Sequence, residues 1–180
     1  MKMNQNKITA GGLEFLVRFA LPHDRPKIMD LMMDTARWLK ESGSTQWGDI
    51  LHGFDVHNIE QRIELGEVAL FETAADELAG AMIIRKTPSD WDADLWGDLA
   101  SDKAYYLHRI MVARKFSGIS FSKEMIYFAE KLAEEQSVPF VRLDCIETND
   151  TLNQMYLRYG FAFSGKKNGF NLYQKRAVRL

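Results

Sequence analysis

Apolar residues recur along the chain in two rhythms, and the switches between them mark its elements. Glu14 to Ala20 is a short apolar run that reads as a strand. From Ile28 onward, Leu31, Met32, Thr35, Trp38 and Leu39 follow at three-to-four spacing, which predicts a helix with one buried face. Asp24 is placed to cap that helix, Pro26 suits its first turn, and Gly43 ends it. Ser44 to Phe54, with Gln46-Trp47-Gly48, is irregular, and Val56 to Leu65 predicts a short helix stopped by Gly66. Val68 to Glu72 and Glu77 to Arg85 read as an antiparallel hairpin turning at Thr73 to Asp76. Thr87 to Lys103, holding Pro88, Trp91 and Trp96, reads as a long polar connection, a length that calls for a job.

The second half is more regular. A strand near Ala104 to Ala113 meets a Gly/Ser loop, and a helix follows from about Ser120 to Gln136. Met125, Ile126, Phe128, Ala129 and Leu132 supply its apolar face. Phe140 to Cys145 is the next strand, and Asn149 or Asp150 caps a helix that Gly160 closes. Phe161 to Ser164 and Phe170 to Lys175 form a closing hairpin. The order predicts an α/β (α+β) fold with a mixed, mainly antiparallel central sheet and helices on both faces. Residues 13–180 read as one domain behind a flexible lead, Met1 to Gly12. A strand feeding a small-residue loop at a helix start is a device for holding phosphate, because free N–H groups and the helix dipole both face the anion.

Composition narrows the partners. A net charge of −2 and no basic stripe leave no footprint for nucleic acid. The single cysteine, Cys145, excludes an internal disulfide and a multi-cysteine metal site. His23, His52 and His57 show no metal-ligand spacing, so no metal is implied. No apolar run approaches the roughly 20 residues of a membrane span, and no membrane partner is expected. The thiol usage is compatible with a reducing compartment, and a cytoplasmic protein is expected.

With these landmarks the chain resembles the GCN5-related N-acetyltransferase (GNAT) superfamily over nearly its whole length, most specifically from Leu107 to Phe161. In that family the fourth strand leads into a pyrophosphate loop of the pattern Q/R-x-x-G-x-G/A. The aligned residues are Ser117-Gly118-Ile119-Ser120-Phe121-Ser122, a departure that puts serine where backbone freedom is wanted. The second signature is closer: Asn149, Tyr156 and Gly160-Phe161 look like the family's N-x6-Y-x3-G-F segment.

The resemblance implies acyl-CoA-dependent N-acyl transfer, acetyl-CoA as cosubstrate, and direct attack by a primary amine in a ternary complex. It implies that Ile110, Met111 and Val112 line the pantetheine, that Phe116 to Ser122 and Lys123 face the phosphates, and that Asn149 touches the pantetheine arm as well as capping its helix. Phe116, Ile119 and Phe121 carry the apolar share of that loop. Arg114 and Lys115 are further cations beside it. Tyr156 would be the general acid for the leaving thiolate. His108, Glu147 and Asp144 are candidate bases, with ordered water as the alternative. Trp47, Trp91 and Trp96 could wall an acceptor pocket or pack their loops down. Asp90, Asp92, Asp94 and Asp98 would suit a cationic acceptor or simply be solvated. A small-molecule or peptidic amine is the expected acceptor, and a homodimer is compatible with the resemblance. Two rivals stay open: a non-catalytic acyl-CoA-binding or interaction protein on the same fold, favoured by the serine loop, and an enzyme using another phosphate ligand.

Overall fold

The computed structural model describes residues 6–177, and side chains from Lys7 onward. In chain order the elements are β1 (Asn6–Ala10), β2 (Leu13–Phe19), α1 (Arg25–Glu41), α2 (Gly48–Leu51), α3 (Ile59–Glu64), β3 (Val68–Glu72) and β4 (Leu78–Arg85). They continue with α4 (Asp90–Trp96), β5 (Ala104–Val112), α5 (Phe121–Glu135), β6 (Phe140–Ile146), α6 (Asp150–Arg158), β7 (Ala162–Lys167) and β8 (Phe170–Arg176). The pairing is mixed and mainly antiparallel, as the pattern predicts.

The chain gathers into two compact units, neither continuous in sequence. One holds the chain up to Ile83 together with Arg109–Met125. Its strands run in the order β1, β2, β3, β4, each antiparallel to the last, and Ala113 beyond β5 donates its N–H to the Ala79 carbonyl. Ile28, Met32, Val68, Leu70, Ile83 and Met111 make a core with no exposed surface beneath α1. Gly80 permits the close approach there, since a Cβ would stand 2.9 Å from both the Met111 carbonyl and the Phe121 ring.

The other unit holds Ile84–His108 and the chain from Ile126 onward. Its strand order is β5, β6, β8, β7: β5 and β6 are parallel, and the rest antiparallel. Arg142 is fully buried at its centre with every nitrogen used. Nε donates to Gln174, Nη1 to the Leu99 carbonyl and the Tyr106 hydroxyl, and Nη2 to Asp102.

Several expectations are corrected. Asn6 to Ala10 is no loose lead: it pairs with β2, and the Gly11-Gly12 turn takes the positive φ that joins them. Residues 1–5 of that lead lie outside the described residues. Asp24 does not cap α1. Its carboxylate accepts from Arg18 and the Leu21 N–H instead. Trp38 is on the exposed side of α1, and Ala36 takes the buried position. The connection Thr87–Lys103 is largely helical, because Ser89 and Asp92 form a reciprocal capping box at the start of α4. Among the described residues no helix is long and apolar enough to cross a membrane.

Candidate functional site

In the first unit the predicted phosphate loop divides into anchors and an open rim. Phe116 and Phe121 are buried on either side of the Phe15 ring, at centroid distances of 5.5 and 4.5 Å. Their side chains are core, so a ligand could meet only their backbone. Between them a single tight turn closes where Ser117 Oγ donates to the Arg114 carbonyl at 2.7 Å. Gly118 and Ser120 both adopt left-handed backbone, φ +82° and +58°. Ser120 then accepts the N–H groups of Lys123 and Glu124, which starts α5. Ile119 is wedged against the β1–β2 turn: a Cβ on Gly11 would stand 2.7 Å from it. Ser117, Gly118, Ser120 and Lys123 are exposed and Ser122 half-buried. Of the other cations, Lys115 pairs with Glu77 at 2.9 Å and the Arg114 guanidinium lies 4.0 Å above Trp38. Just upstream, Met111 is fully buried, while Ile110 and Val112 are half-buried.

In the second unit the ladder of β5 with β6 runs only from Ala104–Phe140 to Tyr106–Arg142. Beyond it β6 goes on pairing, through Ile146, with β8. Asn149 caps α6, accepting the Leu152 N–H at 3.0 Å. The buried Asn153, which sequence reasoning passed over, ties the start of α6 to the end of β6. Its amide donates to the carbonyls of Ile146 and Asn149, and its oxygen accepts from Asn171 and the Tyr173 hydroxyl. One turn later Tyr156 packs its ring on Phe161 and Tyr173. Burial, with Cys145 and Asp144 nearby, pushes its phenol well above the ordinary range and keeps it protonated. Among the described residues none hydrogen-bonds to that hydroxyl.

His108 is not a lone histidine. Its Nε2 lies 3.1 Å from each carboxylate oxygen of Asp92, and both side chains are buried. Burial opposes charge on Asp92, but the His108 contact and two hydrogen bonds from Ser89 outweigh it and hold the carboxyl below its usual range. Asp144 completes the group, and its carboxyl is pushed up by burial despite His108 and a hydrogen bond from Trp91. One ligand atom from each of the three lies within 4.8 Å of the others, a donor set that a divalent cation could also use.

The remaining predicted residues scatter. Glu147 is ion-paired with Lys166, which draws it toward the closing hairpin. Trp96 is buried at 4.7 Å from the Arg142 guanidinium and therefore packs its loop down. Trp91 is partly exposed and stands edge-on to Phe170. Trp47, in the first unit, lies 4.6 Å under the Arg109 guanidinium. Cys145 is buried, its thiol pushed up to about 12, and is no nucleophile. Asp92 could have been found from sequence as the far end of the Ser89 capping box; Asn153 and Arg109 carry no such signal.

Comparison with known proteins gives these features their class. Residues 30–161 match the Acetyltransferase (GNAT) family. The uncharacterized N-acetyltransferase YesJ of Bacillus subtilis is 36% identical over 172 residues, covering 95% of this chain and 94% of that one. A GNAT-family acetyltransferase structure from Listeria monocytogenes is 85% identical, with a TM-score of 0.88 over 95% of this chain and 99% of its own. The PaiA N-acetyltransferase of Thermoplasma acidophilum, solved with coenzyme A, shares the fold at 12% identity and a TM-score of 0.70, over 90% of this chain and 98% of that one. The chain belongs to the GNAT acetyltransferase family, and the protein is an acetyltransferase.

Proposed function

We propose that the protein transfers an acetyl group from acetyl-CoA to a primary amine by direct attack, with no acyl-enzyme. The observation that carries the mechanism is Tyr156: its ring is fixed by packing, while its hydroxyl has no hydrogen-bond partner among the described residues. It lacks the kind of bond that ties the Tyr173 hydroxyl to Asn153, which leaves it to serve a ligand.

In this reading the turn at Ser117–Ser122 and the first turn of α5 receive the pyrophosphate. The pantetheine lies along free strand backbone, in the manner of an added strand. The amine nitrogen bonds to that carbon as the carbon–sulfur bond breaks. The amine's proton goes to His108. Asp92, 3.1 Å from Nε2, orients the ring for that role. Tyr156 gives its proton to the departing thiolate and regains one from solvent. Asp144 and Asp92 stabilise the imidazolium that forms. The relatives' names favour this enzyme over a non-catalytic binding protein. A cytoplasmic setting, where acetyl-CoA and reduced thiols are found, fits the same reading.

The test is thiol release from acetyl-CoA across an amine panel, beside a thermal-shift series with acetyl-CoA, CoA and ATP. Acetyl-CoA and CoA should stabilise the protein and ATP should not. Stabilisation by ATP alone, with no thiol release from any amine, would refute the proposal.

A further inference from the structure

We propose that Arg109, set over Trp47 and braced by Asp49, recognises a carboxylate on the acceptor, so that the substrate is an amine of the amino-acid class. This rests on the transferase reading above. Three observations, all within the first unit, carry it.

Arg109 lies in the middle of β5 with φ +49°, and Trp47 just before α2 with φ +62°. Positive φ in a bulky residue is a genuine outlier, and such residues collect where a binding site demands their geometry. Here the two outliers touch, with the guanidinium carbon 4.6 Å from the centre of the indole. The strain therefore serves one arrangement: a cation held flat against an aromatic face.

The guanidinium is buried but under-used. Nη2 donates to Asp49 at 2.5 Å, and Nε is buried with no acceptor. Arg142 shows what a structural arginine looks like in this protein, with all three nitrogens engaged. Arg62 also leaves Nε unbonded, but it sits on a helix of ordinary backbone and both its Nη atoms have partners. Among the described residues Arg109 alone combines strain, burial and an idle donor. A buried donor left idle is costly, and an incoming oxygen would relieve it.

The idle edge selects the ligand. Nε is the idle donor on the side-on edge whose other nitrogen, Nη2, already holds Asp49, so a planar oxyanion meets it through one oxygen, beside the Asp49 carboxylate. Asp49 is in contact and Asp55 is close enough to act on the Arg109 charge, so a doubly charged phosphate would be repelled more than a singly charged carboxylate.

The experiment is calorimetric titration of the CoA-loaded protein with amino acids and the amines that differ only by the carboxylate: tyrosine and tyramine, tryptophan and tryptamine, lysine and 1,5-diaminopentane. At least one amino acid should bind about tenfold or more tightly than its amine, and Arg109→Gln should collapse that ratio. Trp47→Leu should shrink it as well, and decides the matter if Arg109→Gln does not fold. Equal or tighter binding of the amines throughout, no binding by any member, or displacement of the amino acid by equimolar inorganic phosphate overturns the proposal. A carboxylate preference without thiol release from acetyl-CoA would sustain the site and sink the transferase reading.

Discussion

His108 Nε2 and the Asp92 carboxylate meet at 3.1 Å, and the two residues reach each other from β5 and from α4. A buried carboxylate bonded to one imidazole nitrogen fixes which nitrogen carries the proton. Asp92→Asn should keep the fold, because the amide can still join the Ser89 capping box, and should lower kcat by about 10- to 100-fold. Steady-state kinetics beside a melting curve will show it; unchanged kcat would remove His108 from the reaction.

Tyr156→Phe should lower kcat by about one to three decades with KM for acetyl-CoA nearly unchanged, the pattern of an interaction made mainly in the transition state. Its melting temperature should not fall, because the deleted hydroxyl bonds no described residue. A destabilised Phe variant with full turnover would make the tyrosine a packing residue.

Asp144 makes stability depend on pH. Its folded carboxyl titrates above the unfolded value, so the folded state keeps its proton longer. Stability is then greatest below the ordinary carboxyl range and declines as pH rises from there toward the folded value. Asp144→Asn should remove that decline and raise the melting temperature at neutral pH. Thermal melts from pH 4 to pH 8 test the sign.

Ser120 holds a left-handed conformation that costs an L-residue roughly 1–2 kcal/mol. Ser120→Gly should recover about 1 kcal/mol of stability. If strain also limits phosphate approach, CoA binding tightens; if the Ser120 hydroxyl binds phosphate, it loosens. Gly118→Pro, at φ +82°, forces a conformation proline cannot adopt and should weaken CoA binding severalfold in calorimetry.

Gly11→Ala should push Ile119 out of place, costing about 1–3 kcal/mol and weakening CoA binding with it. Loss of stability with CoA affinity intact would uncouple the β1–β2 turn from the loop.

What the sequence disclosed depended on how local the signal was. Strands β2 to β8, α1, α5, α6 and the Asn149-to-Phe161 segment announce themselves through periodicity and caps, and the structure has them within a few residues. α4 was hidden because its capping box lies in a run of aspartates that reads as solvated loop. β1 was hidden because Asn6 to Ala10, with Ile8 as its one large apolar residue, becomes a strand only when β2 offers a partner. Glu147 looked available because its partner, Lys166, comes from a hairpin beyond the reach of spacing. Arg109 and Trp47 have no sequence signature, since positive φ in such residues is imposed by tertiary context.

The contact between Gly11 and Ile119 also constrains the order in which the chain can fold. The first unit needs Phe116, Ile119 and Phe121 to close over Phe15, and these emerge from the ribosome long after β1 to β4. Until then Phe15 lacks the two rings that pack against it. Bringing such distant stretches together carries a loop-closure cost that slows folding. The nascent chain is therefore most prone to aggregate midway through its own synthesis, and is relieved of that hazard by the same segment that we assign to the cosubstrate.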